Sequence, residues 1–186
     1  MMTARIAPAE PPFAEGIQSS LDAVMRGKPP LLLFTTLARD PRLFKKFFAA
    51  GLLDRGHLTM RQREIVIART TALCKSEYEW GVHIAAFASH VGLDETQITS
   101  LATGQTRDAC WSAEESLLLD LCDALHADCA VDDALWQSLK SHFNDEAILE
   151  LLMLAGFYRT VSYLTNALRL PLEPGAARFP PPVLNS

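Results

Sequence analysis

The sequence lacks features that mark several large classes of proteins. Its 17 Lys and Arg residues form no long basic run, and its formal net charge is −5. No stretch approaches the roughly 18 uninterrupted apolar residues of a membrane-spanning helix. There is no apolar–polar alternation of useful length for a β-strand and no glycine-rich phosphate loop. We therefore expect no nucleic-acid surface and no membrane span.

Two further absences concern targeting and thiol chemistry. The N-terminus, MMTARIAPAEPPF, has no apolar core of the length that a signal peptide needs, so we expect a cytoplasmic protein. The four cysteines, Cys74, Cys110, Cys122 and Cys129, include no Cys-x-x-Cys pair. On one helix, Cys122 and Cys129 would lie about 10 Å apart, which is too far for a disulfide. We expect reduced, buried thiols, because free Cys behaves as a small hydrophobe.

What the chain does contain is helical patterning around one core. Its 186 residues, 49% of them hydrophobic, are enough for a sizeable core. We predict an N-terminal arm and helix over residues 1–29, a helical domain over 30–172, and a proline-rich C-terminal arm over 173–186 that is loose or extended. Helical spacing and capping residues recur along the chain and predict an all-α fold.

The predicted helices outside the centre of the chain are Phe13 to Met25, Leu31 to Ala38, one from Pro41 to the break near Gly56, one from Asp94 to Gly104, one from Ser112 through Leu125, Asp132 to Phe143, and Asp145 to about Leu170. The last one is apolar nearly all the way round. We therefore expect it to be central or to lie at a subunit interface.

The central stretch runs from Thr59 to Gly92 and contains two helix starts. Thr59 with Gln62, and Ser76 with Glu79, have the spacing of a capping box. We predict helices from Met60 to Leu73 and from Glu77 to Val91, with Gly92 as the left-handed C-terminal cap. The two helices should form an antiparallel hairpin.

The second of these helices carries candidate site residues. Glu79, His83 and His90 share a face, because they are separated by four and seven residues, and Trp80 and Phe87 lie beside them. This face offers an acid, an imidazole and two aromatic walls. The helical zinc signature His-Glu-x-x-His is absent, and so is a nucleophile-elbow sequence, so we expect no metal and no serine nucleophile.

Glu64, near the start of the first helix, and His83 have two interpretations each. A first-turn glutamate commonly interacts with the helix dipole, and a histidine on an apolar face is commonly a core residue with a satisfied hydrogen bond. The alternative is that the two form an acid–base pair. The residues alone leave both interpretations open.

The run REIVIARTTALCKSEYEWGVHIAAFASHVGL resembles the core of the carboxymuconolactone decarboxylase family, within the alkyl hydroperoxidase D-like superfamily. The similar segments are Arg63-Glu64, Ser76 to Trp80, His83, Gly92-Leu93, Leu37 to Pro41 upstream, and Leu170 to Leu172 downstream. The resemblance thus covers most of residues 30–172. It implies the helical bundle of that superfamily, with a central hairpin, assembled as a homo-oligomer such as a trimer or hexamer.

The resemblance also implies a lyase of aromatic catabolism that needs no cofactor. In the family reaction, a carboxylated γ-lactone loses carbon dioxide, the electron pair spreads onto the lactone oxygen, and a proton is added. His83 would stabilise the oxyanion, and Glu64 would donate the proton. The residues that would contact the small-molecule substrate are Glu79, Trp80, Phe87 and, as an additional hydroxyl donor, Tyr78.

Two other functions remain open. The peroxidase branch of the superfamily carries Cys-x-x-Cys-x-x-x-His, and here Ser76 and Glu79 stand where the two cysteines would be. A redox protein that uses Cys74 is therefore the second hypothesis. The third is a non-enzymatic helical oligomer that serves as a binding module. A pocket around His83 and Glu64 would argue against the third hypothesis, and a filled core would favour it.

Overall fold

A computed structural model describes residues 4–14 and 16–181. These residues form nine α-helices and no strand, which confirms the predicted all-α class. The helices are α1 (Ile17–Met25), α2 (Leu32–Leu37), α3 (Pro41–Ala50), α4 (Met60–Leu73), α5 (Glu77–Phe87), α6 (Glu95–Thr103), α7 (Ala113–Asp128), α8 (Asp133–His142) and α9 (Asp145–Leu168).

The central helix is α4. Helices α5, α6, α7 and α9 all pack against it, and every side chain from Arg63 to Thr71 is buried. The apolar stretch Ile65 to Ala68 covers all sides of the helix, as a helix surrounded by others requires. Full burial of one isoleucine side chain contributes about 1.5–3 kcal/mol, so this stretch is a major source of stability.

Most of the predicted helix starts are confirmed. Thr59 and Gln62 form a reciprocal capping box, and so do Asp94 with Gln97 and Ser112 with Glu115. The side chains of Asp40, Asp132 and Asn144 also cap the helices that follow them.

The capping box predicted at Ser76 and Glu79 is wrong. Ser76 precedes α5, but its hydroxyl makes no capping bond and instead shares a hydrogen bond with the Thr165 hydroxyl at 2.8 Å. Both hydroxyls are buried, so this tertiary contact takes the Ser76 oxygen away from the helix end. Glu79 is thereby left for another partner.

Helices α4 and α5 form the predicted antiparallel hairpin. Arg61, at the start of α4, donates hydrogen bonds to the carbonyls of Val91 and Gly92, beyond the end of α5. Helix α5 ends at Phe87, four residues earlier than predicted, and turns follow to Gly92, whose φ is +68°. His90 lies in these turns and is exposed.

The C-terminal arm is not loose over its described part. Residues 173–181, called the strap below, lack helix and strand but lie along α5. The Ala177 N–H donates to the Gly81 carbonyl at 3.0 Å, and the ring of Phe179 lies 4.9 Å from that of Trp80. The strap approaches so closely because Gly81 has no Cβ: one built there would meet the Ala177 oxygen at 2.2 Å. Residues 182–186 of the predicted arm lie outside the described residues.

Helix α9 is 24 residues long and is the one helix in the described part of the chain that meets the length and apolarity of a membrane span. Core helices of soluble proteins also meet this criterion. One face of α9 packs on α4 and buries Leu151, Leu154 and Val161. The other face exposes Leu149, Met153 and Tyr163, each more than half accessible. Helix α9 is thus a core helix with an exposed apolar stripe.

Candidate functional site

The hairpin brings His83 between two carboxylates. The His83 Nδ1 lies 2.8 Å from Glu64 Oε2, and its Nε2 lies 3.4 Å from Glu79 Oε1. The three residues are 5%, 4% and 7% exposed, respectively. Glu79 reaches the ring because it precedes His83 by one helical turn, and Glu64 reaches it from the facing helix. We call these three residues the relay.

Aromatic rings enclose the imidazole. The ring of Phe87, one turn further along α5, is centred 5.3 Å from that of His83. The ring of Tyr158, from α9, is centred 5.0 Å away and perpendicular to it. The relay is therefore surrounded by apolar surface, in which electrostatic interactions are stronger than in water.

The charge on His83 follows from these contacts. Burial lowers the pKa of His83, but the hydrogen bonds and charges of Glu64 and Glu79 outweigh burial and raise that pKa to about 9. At neutral pH the ring is therefore an imidazolium that holds a proton between two carboxylates.

Three buried side-chain polar atoms have no hydrogen-bond partner within the described residues. They are Glu79 Oε2, Arg63 Nε and Trp80 Nε1. Nearly all buried polar groups in proteins are paired, and leaving one unpaired costs about 1–3 kcal/mol. Glu79 Oε2 belongs to the relay itself, so the relay offers a buried acceptor atom that the protein does not use.

Tyr158 adds a hydroxyl beside the relay. Burial, together with the charges of Glu79 and Glu64, raises the pKa of its phenol well above the ordinary value, and the charge of Arg63 opposes this shift. The phenol therefore stays neutral and can donate a proton in a hydrogen bond.

Four predicted site residues come together: Glu64, Glu79, His83 and Phe87. His90 does not join them, because α5 has already ended where it lies. The shared face predicted for His90 required three more helical residues.

Tyr78 and Trp80 were expected in the same site, and both face the strap instead. The Tyr78 hydroxyl hydrogen-bonds the Glu173 carboxylate and accepts the Leu33 N–H at 3.1 Å. The Trp80 ring, 1% exposed, lies against Phe179. The Tyr78 hydroxyl therefore contacts the strap and α2, and the ring of Tyr158 lies against His83.

The cysteines lie elsewhere. All four are free, and only Cys122 is buried, so the expectation of four buried thiols is wrong. The Cys74 sulfur lies 3.9 Å from His126 Nδ1. Burial raises the pKa of the Cys74 thiol, and this outweighs the opposite effects of Arg159 and Ser162. The Cys74 side chain is thus mostly a neutral thiol, and not a thiolate, at neutral pH.

Within residues 4–14 and 16–181, no cluster of three His, Cys, Asp or Glu side chains is arranged to hold a metal ion.

Two cavities lie away from the relay. One, of about 190 Å³, is lined by α7 and α9 residues that include Cys122, His126 and Arg159. The other, of about 590 Å³, is open and lies along α6 and the loop after it. Neither is lined by His83, Glu64 or Glu79.

Arg63 and Tyr158 carry no signal in the sequence that marks them as site residues. Arg63 lay within the quoted Arg-Glu pair, and Tyr158 lay in an apolar run of α9. Both place a polar side chain at a position where the helix is apolar on all sides.

Comparisons with known proteins agree with this fold. Residues 41–119 match the profile of the Carboxymuconolactone decarboxylase family. No curated protein matches the chain. An uncharacterised peroxidase-related protein from Silicibacter sp. TM1040 is 19% identical, with a TM-score of 0.80, over 97% of this chain and 100% of the other.

Two further solved structures are similar in fold. The alkylhydroperoxidase AhpD core protein from Ralstonia eutropha JMP134, described as peroxidase-related, is 21% identical, with a TM-score of 0.75, over 92% of this chain and 94% of that one. A variant of the debrominase Bmp8, in complex with 2,3,4-tribromopyrrole, is 13% identical, with a TM-score of 0.72, over 94% of each chain. Residues 41–119 thus resemble the carboxymuconolactone decarboxylase family, and the solved structures share the helical fold of this chain.

Proposed function

We propose that the protein is a cofactor-independent enzyme that decarboxylates a carboxylated lactone or a related small acid at the Glu64–His83–Glu79 relay. The observation that carries this proposal is a buried imidazolium held between two carboxylates, one of which keeps an unpaired oxygen, Glu79 Oε2. A core histidine needs only one partner for each nitrogen. It does not require a buried carboxylate oxygen left without a donor.

In the proposed decarboxylation, Tyr158, His83 and Glu79 each have a specific role. The bond between the ring carbon and the carboxylate breaks, carbon dioxide leaves, and the electron pair moves through the ring double bond onto the lactone carbonyl oxygen. The neutral hydroxyl of Tyr158 stabilises that oxyanion by a hydrogen bond. A proton then passes from His83 by way of Glu79 to the product carbon, and water restores the proton on His83.

The structure favours different roles for Glu64 and His83 from those that the family resemblance implies. The expected proton donor was Glu64, with His83 as the group that stabilises the oxyanion. Both nitrogens of His83 already face carboxylates, so the ring does not offer a free N–H to an oxyanion. Since the raised pKa keeps a proton on the imidazole, His83 is the better proton store, and Glu64 holds that ring in place.

A relative supports the size and shape of the ligand. The debrominase Bmp8 was solved with 2,3,4-tribromopyrrole, a small five-membered ring. A γ-lactone is also a five-membered ring. We propose a ligand of this size for the present chain.

The experiment is a screen of purified protein against carboxylated γ-lactones and small unsaturated acids, with carbon dioxide release as the readout. His83→Gln is the matched variant, because it keeps a hydrogen-bonding side chain but cannot hold the proton. We expect release by the wild-type protein and a loss of about 10²- to 10⁴-fold in the variant. Release that is equal in both proteins would contradict the proposal.

A second candidate is the non-enzymatic binding module, and one observation favours it. Neither cavity described above is lined by relay residues. In this case His83 would be part of a filled core, and no ligand in the panel would be turned over. The unpaired Glu79 Oε2 argues for the enzyme.

We also propose that the protein is a homo-oligomer, such as a trimer or hexamer. Support comes from the α9 stripe of Leu149, Met153 and Tyr163, which is apolar and more than half exposed along one helix. Large apolar side chains exposed along one helix fit an interface between proteins.

A further inference from the structure

Arg63 is a buried arginine whose Nε and Nη2 edge meets no acceptor among the described residues. It is 7% exposed. Its Nη1 donates to the carbonyls of Leu52 and Asp54, in the loop between α3 and α4. Its Nε has no partner, and within residues 4–14 and 16–181 its Nη2 forms no hydrogen bond either. Nε and Nη2 form one edge of the guanidinium, and such an edge fits a carboxylate through two parallel hydrogen bonds.

The other two arginines of α4 each bind a carboxylate in addition to backbone carbonyls. Arg69 binds Asp123 through Nε and Nη2, at 2.7 Å each. Arg61 binds Glu115 through Nε at 2.7 Å and two carbonyls through Nη1. Arg63 donates to backbone carbonyls in the same way but binds no carboxylate among the described residues. The burial of a charge without a counter-charge is costly, so this arrangement calls for an explanation.

The position of Arg63 connects it with the relay. Arg63 directly precedes Glu64 in α4, and its charge acts on the phenol of Tyr158, as do the charges of Glu64 and Glu79. Tyr158 in turn packs against the ring of His83. The charges of Arg63 and of the relay carboxylates thus act on the same phenol, whose ring packs against that of His83.

We propose that Arg63 binds a carboxylate of the ligand on which the relay acts, and that this carboxylate stays in the product. The inference rests on the proposed function and names the feature that the ligand must carry. The two carbonyl acceptors hold the guanidinium in place before the ligand arrives, so less side-chain freedom is lost on binding.

The carboxylate on Arg63 is not the one that leaves. A guanidinium stabilises the ionised carboxylate, which becomes neutral when its carbon departs as carbon dioxide. Binding the departing group would thus stabilise the reactant more than the transition state and slow the reaction. It follows that a decarboxylated ligand carries two acidic groups: one held by Arg63, and one released beside Tyr158 and His83.

The experiment measures binding without turnover. The probes are 2-furoate, a five-membered ring with one carboxylate, and 2-furamide, its neutral analogue of the same shape. Calorimetric titration compares the wild-type protein with Arg63→Met, which removes the charge, and Arg63→Lys, which keeps the charge but not the two-bond edge. Arg55→Met is the control, because Arg55 is an exposed arginine in the same loop. Circular dichroism verifies that each variant is folded.

We expect the wild-type protein and Arg55→Met to bind 2-furoate equally and to prefer it to 2-furamide. Binding of 2-furoate should weaken about 10- to 100-fold in Arg63→Met, with an intermediate loss in Arg63→Lys. Equal binding of 2-furoate by the wild-type protein and the folded Arg63 variants would overturn the inference, and so would the absence of 2-furoate binding by the wild-type protein. If Arg63→Met does not fold, the comparison of 2-furoate binding between the wild-type protein and Arg63→Lys tests the inference.

The outcomes also separate this inference from the proposed function. If 2-furoate binding depends on Arg63 but no lactone releases carbon dioxide, the carboxylate site stands and the decarboxylase proposal fails. If carbon dioxide is released but Arg63→Lys and Arg63→Met leave KM unchanged, the relay stands and the role of Arg63 is wrong.

Discussion

His83 of α5 and Glu64 of α4 are joined across the central hairpin by a distance of 2.8 Å between Nδ1 and Oε2, with both side chains almost fully buried. This contact connects fold and function. The same pair links the two helices of the hairpin and, in the proposed reaction, keeps a proton on the imidazole.

The first prediction concerns stability and pH. The pKa of His83 is raised to about 9 in the folded state, against about 6.5 for an unperturbed histidine. The protonated ring therefore stabilises the folded state fully below pH 6.5, and this contribution decreases above 6.5 and is lost as the pH rises through 9. Urea unfolding of the wild-type protein should show a decrease on the order of 3 kcal/mol over this window.

His83→Gln serves as the control for that measurement, because glutamine does not titrate. The difference in unfolding free energy between wild type and variant should shrink between pH 6.5 and 9. A difference that stays constant across this window would mean that His83 is not charged in the folded protein.

The second prediction concerns the strap. Gly81→Ala places a Cβ 2.2 Å from the Ala177 oxygen, a backbone atom, so the strap must move away from α5. We expect a loss of about 1–3 kcal/mol in the free energy of unfolding, measured by urea denaturation. In a chain that ends at Gly175 the same substitution should cost far less, because Ala177 is absent. An equal cost in both chains would show that the strap does not contact α5 in this way.

Local signals and tertiary contacts explain what the sequence did and did not predict. Capping residues such as Thr59 and Gln62 interact within one helical turn, so most helix starts could be predicted from the sequence. The capping box predicted at Ser76 was wrong because the Ser76 hydroxyl instead bonds Thr165, which lies 89 positions further along the chain. The strap was missed because its fit depends on the space beside Gly81.

In the candidate site, too, local contacts could be predicted from the sequence and long-range contacts could not. Glu79 and His83 lie one turn apart on one helix, so their proximity follows from helical geometry. Glu64 joined them only through the family resemblance. Arg63 and Tyr158 required the packing of α9 on α4, which neither helix specifies alone.

The third prediction concerns assembly. Met153 is 62% exposed in the middle of the α9 stripe, so Met153→Glu places a charge in the proposed interface. Sedimentation velocity at micromolar concentration should show an oligomer for the wild-type protein and a smaller species for this variant. Gln137→Glu, an exposed position on α8, is the control and should leave the oligomer intact. A compact wild-type monomer under these conditions would refute the assembly.

The fourth prediction separates the decarboxylase from a thiol enzyme. Because burial raises the pKa of the Cys74 thiol, little thiolate is present at neutral pH, and a second thiol in Cys-x-x-Cys spacing is missing. Cys74→Ser should leave carbon dioxide release unchanged, and the wild-type protein should consume peroxide no faster than this variant. Peroxide consumption that disappears with Cys74 would favour the redox protein.

The central claim is that the relay performs chemistry and does more than hold two helices together, and Glu64→Gln tests it most directly. This variant keeps the size and a hydrogen-bond acceptor for His83 but removes one of the two negative charges that hold the proton on the imidazole. The measurement is carbon dioxide release per folded molecule, taken with the unfolding free energy of the same preparation. The account predicts a folded protein whose turnover falls by about 10²- to 10⁴-fold. Turnover per folded molecule equal to that of the wild type would contradict it.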